Sequence, residues 1–224
     1  MKVREFIGLF RHFIEDKTGY TSDDTSYSDL ALWEQLISTR AGVIRNLQKA
    51  KFKFGDRMFQ TLPCIMLEEV DANECGIIPP SGCKILKSTC PIPSFLILNS
   101  VVNQLGTEHF DIVRWDMLDG KLQSRVESVR NSSYAAIRNI NNNNFLYIFN
   151  NIHLRNIVVT AIAEDPVEFA HFCGDVDSKC NPLELDIATD VEIQDLILRT
   201  AWQAIIGYRQ GALPDIMNDD TPLK

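Results

Sequence analysis

Residues 145–172, FLYIFNNIHLRNIVVTAIAEDPVEFAHF, constrain this chain more than any other stretch, because they switch abruptly from β-rich sequence to a capped helix. Phe145 to Phe149 and Ile152 to Ala163 are rich in the β-branched and aromatic residues that suit a pleated surface. Between them, Asn150-Asn151 tolerates positive φ angles, and the expectation is a two-residue hairpin turn. The helix should then begin at Glu164-Asp165-Pro166. Asp165 can accept from an orphan amide at the N-cap, Pro166 has no amide to lose, and Glu168 stands where a capping box would close.

The rest of the chain reads as helices at both ends with strands between. Val3, Phe6, Ile7, Phe10, Phe13 and Ile14 recur at helical spacing, with charged residues on the other faces. After a polar linker from Thr18 to Ser26, Leu30, Trp33, Leu36, Ile37, Val43, Ile44 and Leu47 form a second stripe, with Ser26 and Asp29 placed to cap it. Strands are expected over Met58–Val70, Cys83–Cys90, Phe95–Val102 and Phe110–Trp115, separated by Gly and Pro punctuation. Gln123 to Arg138 fits either a loose helix or irregular chain, and the Asn cluster at 139–144 reads as a loop tip. Thr189 and Glu192 suggest a capping box for a last helix whose apolar face is Ile193, Leu196, Ile197, Ala201, Ala204, Ile205 and Tyr208. The fold class is therefore α+β, with amphipathic helices at both termini enclosing a mostly antiparallel β-rich middle. The expected organisation is one domain over 1–224, with helical parts 1–55 and 164–211, a β-rich insertion 56–163, and an extended tail 212–224.

A chain of 224 residues with 45% hydrophobic content can bury a core without disulfides. No apolar run is long enough for a bilayer-spanning helix, and charges interrupt the N-terminal pattern, so neither a signal peptide nor a membrane anchor is expected. Six cysteines without a secretion signal point to synthesis in a reducing compartment with free thiols. The net charge of −8 opposes general nucleic-acid binding, although it suits a surface that nucleic acid passes without being gripped.

That charge is segregated. Arg40, Arg45, Lys49, Lys51, Lys53 and Arg57 set six bases against Asp56, whereas Glu164 to Asp195 places ten acids, among them Asp190, Glu192 and Asp195, against Lys179. Two solvated faces would account for these counts. The sharper reading is a head-to-tail contact between identical subunits, since complementary patches on different sides of one molecule close into a ring. Chemistry-bearing motifs are weaker. Cys75, Cys83, Cys90, Cys173 and Cys180 lack the short paired spacing of zinc ribbons, but His171, Cys173 and Cys180 could converge on zinc in an intracellular metal-dependent enzyme or zinc-binding module. Packed thiols are the more economical reading. No nucleophile elbow accompanies His12, His109, His153 or His171, and no Gly-rich phosphate loop precedes a helix. No catalytic residue, cofactor or metal is assigned.

The succession GYTSDDTSYSDLALWEQLISTRAGVIRN, QTLPCIMLEEVDANECG, CKILKSTCPIPSF and NIVVTAIAEDPVEF resembles the neck and tail ring proteins of crAss-like bacteriophages over nearly the whole chain. The resemblance implies a virion structural protein, made in the bacterial host cytoplasm, with no enzymatic residues. It further implies a dodecameric ring of identical subunits in the head-to-tail connector, stacked near the portal and other ring or tail proteins, through which the genome passes without specific binding. The short final segment after the Glu164-Asp165-Pro166 helix and the Asn-rich loop at 139–144 depart from the family and leave the particular ring open.

Overall fold

The computed structural model describes residues 1–18, 28–70, 85–151, 153–172 and 186–211, without the side chains of 170, 171 and 207–211. The chain divides into two compact units, a β unit of Met1–Val3 and Lys53–Thr189 and a helical unit of Arg4–Phe52 and Asp190–Lys224. Helices at both termini and a mostly antiparallel sheet make the fold α+β.

The β unit is built on seven strands: β1 (Gln60–Val70), β2 (Ile85–Ser88), β3 (Phe95–Asn103), β4 (Asp111–Ile112), β5 (Tyr134–Ile140), β6 (Asn143–Phe149) and β7 (Asn156–Ala163). Their order is β3-β7-β1-β2-β6-β5-β4, antiparallel throughout except for β4 beside β5. The two outermost strands are tied to each other where the Phe110 amide donates to the Val101 carbonyl and Val102 bridges His109, so the sheet curls nearly into a barrel. Register shifts supply the bend. One lies between Leu62 and Ile65, where Pro63 has no amide to give, and two more interrupt β3.

Strand alternation sorts the apolar residues onto both faces. One face buries Leu62, Ile65, Leu86, Val101, Ala135, Leu146, Ile148, Ile157, Val159, Ala161 and Ala163, together with Phe169 from α5 (Pro166–His171). The Phe169 ring meets Phe95 edge-on at 5.9 Å. The opposite face buries Ile85, Tyr134, Ala136, Tyr147 and Phe149 with Leu118 and Leu122 of α3 (Trp115–Leu122). A short helix, α4 (Glu127–Arg130), precedes β5, and the Tyr134 hydroxyl donates to the Val129 carbonyl within it.

Several sequence expectations need correction here. Asn150-Asn151 is not a hairpin turn, because β6 pairs with β2 and β5 whereas β7 pairs with β1 and β3. Asn150 does adopt φ 63°, but its amide donates to the carbonyls of Arg130 and Ser132 at 2.8 Å, pinning the chain as it leaves the sheet. The paired-Asn turn is at Asn141 and Asn142, φ 51° and 67°, joining β5 to β6. The 139–144 cluster is thus mostly strand, and Gln123–Arg138 holds α4 and most of β5. The expected strand Phe110–Trp115 shrinks to Asp111–Ile112 and then becomes α3. Cys64 is disulfide-bonded rather than free, with its partner outside the described residues, while Cys90 is a free exposed thiol.

The helical unit comprises α1 (Val3–Thr18), whose first residue belongs to the β unit, α2 (Asp29–Lys49) and α6 (Val191–Gly211). Phe6, Ile7, Phe10 and Ile14 are the buried stripe of α1, Leu32, Leu36, Val43 and Ile44 that of α2, and Ile193, Ile197, Ala201 and Ile205 that of α6. Ser28, not Ser26, caps α2 by accepting from the Ala31 amide at 3.2 Å. Arg11 pairs with Asp29 at 2.6 Å between α1 and α2, and α2 packs against α6. Among the described residues, no helix is long and apolar enough to cross a membrane.

Candidate subunit interface

The basic segment is shaped by how α2 ends. The Lys51 amide donates to the Gln48 carbonyl at 2.9 Å and the Phe52 amide to the Leu47 carbonyl at 3.0 Å, the paired bonds of a Schellman closure. That closure needs a left-handed residue, a place glycine usually takes, yet Lys51 occupies it at φ 58°. Lys51 is thus held at conformational cost on an exposed helix end. Arg45, Lys49, Lys51 and Lys53 are all exposed. Arg40 is not: at 1% exposure it lies in the packed face of α2. It stands four residues after Leu36 and four before Ile44, so the helical period itself assigns it to that face.

The acidic residues opposite in sign lie at the start of α6. Glu192 and Asp195 are exposed and Asp190 is half-buried. Asp195 pairs with Arg199 one turn on, at 2.8 Å, an exposed contact of small energetic weight. Helix α6 begins at Val191, one residue later than a cap at Thr189 would place it, and the Gln194 amide donates to the Asp190 carbonyl. Between α2 and α6 runs an open groove of about 530 Å³, lined by Gly42, by the apolar Val43, Leu47, Leu196 and Ala204, and by polar residues of both helices such as Asn46 and Thr200.

The other sequence candidates are placed as follows. Asp165 caps α5, accepting from the Val167 amide at 2.8 Å, with Pro166 in the first turn. Glu168 makes no capping-box bond among the described residues. Its carboxyl is instead pushed up from the ordinary carboxylate range, first by burial and then by the charges of Asp165 and Glu164. The zinc candidates Cys173 and Cys180, and the side chain of His171, lie outside the described residues. Within those residues no group of three or more His, Cys, Asp or Glu could hold a metal ion. His12 contacts Glu15 at 3.2 Å on the exposed face of α1.

Sequence reasoning missed Lys51's backbone state and the groove. An Ala-Lys-Phe helix end carries no glycine signal, and a groove between two helices exists only once they pack. A family model described as phage tail ring protein 2 matches residues 14–200, which takes in both units. No curated protein matches the chain.

Proposed function

The chain belongs to the phage tail ring protein 2 family of crAss-like phages, and from that premise we propose that it forms a ring of identical subunits in the neck of the virion. The family is a structural one, so the reading assigns the chain no catalytic step. The ring lies below the portal, is dodecameric, contacts the portal and neighbouring ring or tail proteins, and lets the genome pass. Helices enclosing the β-rich middle would form its packed wall. An acidic chain of net charge −8 suits such a channel, because cationic contacts to phosphates would retard a moving genome.

The observation that carries the self-association is the exposed cationic end of α2, with Lys51 kept in a strained conformation where glycine would be more stable. In this reading Arg45, Lys49, Lys51 and Lys53 supply the positive side of a head-to-tail contact. Asp190, Glu192 and Asp195 supply the negative side on the neighbour. Arg40, buried, acts through the fold of α2 rather than by touching that neighbour.

Native mass spectrometry of the purified protein, alone and with a portal, tests the proposal. A single high-mass species of fixed copy number is expected. A monomer that joins neither the portal nor another ring would overturn the reading.

A further inference from the structure

The most exposed large apolar side chain among the described residues is Leu105, at 83%, on the turn between β3 and β4. Its loop is not loose. The buried Asn103 accepts at Oδ1 from the amides of Thr107 (2.9 Å) and Glu108 (3.3 Å) and donates from Nδ2 to Thr107 Oγ1 (2.9 Å). The Gly106 amide donates to the Asn103 carbonyl, and Gly106 takes φ 71°, which a bulkier residue would resist. A leucine held out on a loop braced this way loses little freedom when it docks.

The helical unit carries the matching concavity. Gly42, in the interior of α2, lines the α2–α6 groove, and a Cβ built there would meet nothing within 4 Å. Packing inside the chain therefore does not require this glycine, although glycine weakens a helix interior. Gly8 and Gly120 are equally open, but only Gly42 lies in this groove.

We propose that the Leu105 loop of one subunit seats in the α2–α6 groove of the next copy around the ring. The inference rests on the ring reading above and identifies part of its subunit contact. A closed ring of one chain requires a heterologous contact, in which a projection of one copy meets a receptor of the next, and these two features are of those two kinds. Charge agrees with the pairing. Arg45 and Lys49 lie seven residues on from Ser38 and Gly42, on the groove's side of α2, and both are exposed. Glu108 and Asp111, also exposed, follow Leu105. Glu108 and Asp111 thus join the α6 acids as opposite charges offered to Arg45 and Lys49.

The test uses the full chain with two independent variants. Leu105→Asp removes the projection, and Gly42→Leu fills the groove at a position where a Cβ meets nothing within 4 Å. Leu105→Asp should keep wild-type circular dichroism and melting, and Gly42→Leu should melt no lower than wild type, while each weakens subunit association on the order of 30-fold, as loss of an interface hot spot does. Combining Leu105→Cys with Gly42→Cys should give an oxidation-dependent ladder of linked subunits that neither single variant gives. If the wild type never assembles, the ring premise fails and the inference with it. If the wild type assembles and both variants assemble undiminished without a ladder, the ring stands and this contact is refuted.

Discussion

The β unit and the helical unit bury their apolar residues in different ways, and the difference bears on the proposed assembly. In the β unit, alternation sends side chains to two faces, and both are covered: Ile148 packs on one and Tyr147 and Phe149 on the other. The helical unit buries only one stripe per helix, so charged residues and an open groove remain on the surfaces of α2 and α6. In the proposed ring the β unit contributes a projecting loop, whereas the helical unit contributes the groove and Arg45, Lys49 and Lys51.

The comparison is most severely tested in the core. Ile148→Ala, at 0% exposure on a central strand, should cost about 2–5 kcal/mol. Hydrogen exchange should then show β1, β2 and β6 opening while α2 and α6 keep their protection. Simultaneous loss everywhere would show that the two units unfold as one.

Asn150→Ala should cost about 2 kcal/mol, since it removes both bonds to the 130–132 turn and puts alanine at φ 63°. Asn141→Gly should be close to neutral by the same denaturant melts, because its φ suits glycine. A neutral Asn150→Ala as well would mean that neither the lost side-chain bonds nor the left-handed alanine carries weight there. Asp165→Ala should lose about 1 kcal/mol through the N-cap bond, with Pro166→Ala milder. An unchanged melt for both would remove α5's cap from the energetics.

In the helical unit the expected sign reverses. Lys51→Gly should stabilise the chain by up to about 1 kcal/mol by relieving the left-handed lysine, yet weaken assembly by removing its charge. A variant that is stabler and assembles normally would show that Lys51 only ends the helix.

The smallest effect concerns pH. Glu168 keeps its proton to higher pH in the folded chain than in the unfolded one, so its ionisation erodes stability as pH rises through the carboxylate range. Below both values the penalty is absent. Glu168→Gln should therefore match the wild type near pH 3 and be slightly more stable at pH 7. The opposite difference would mean that the favourable field of the helix N-terminus outweighs burial and the neighbouring acids.

Of the proposed interface, the exposure of Arg45 and Lys49 follows from where they fall in the helical period, and the same period, applied to Arg40, places it among Leu36 and Ile44. Counting charges along the segment obscured that distinction. Lys51 was legible as a base but not as a strained one, since its conformation depends on where α2 stops.

The sequence by itself determined what neighbours a few residues apart can settle: the presence of α1, α2 and α6, the Asp165-Pro166 cap, the cores of β1, β3, β6 and β7, and the segregation of charge. Only the tertiary structure decided which strands pair. Asn150-Asn151 and Asn141-Asn142 carry the same turn chemistry, but only the second joins partners, because β7 finds its neighbours in β1 and β3. Likewise Tyr134–Ile140 becomes a strand through pairing with β6 despite Arg138 and Asn139. Helices and caps are stabilised within a turn or two of chain, so their signals are local. Strand identity depends on cross-strand contacts and burial supplied by distant residues, and the groove at Gly42 exists only when α2 meets α6.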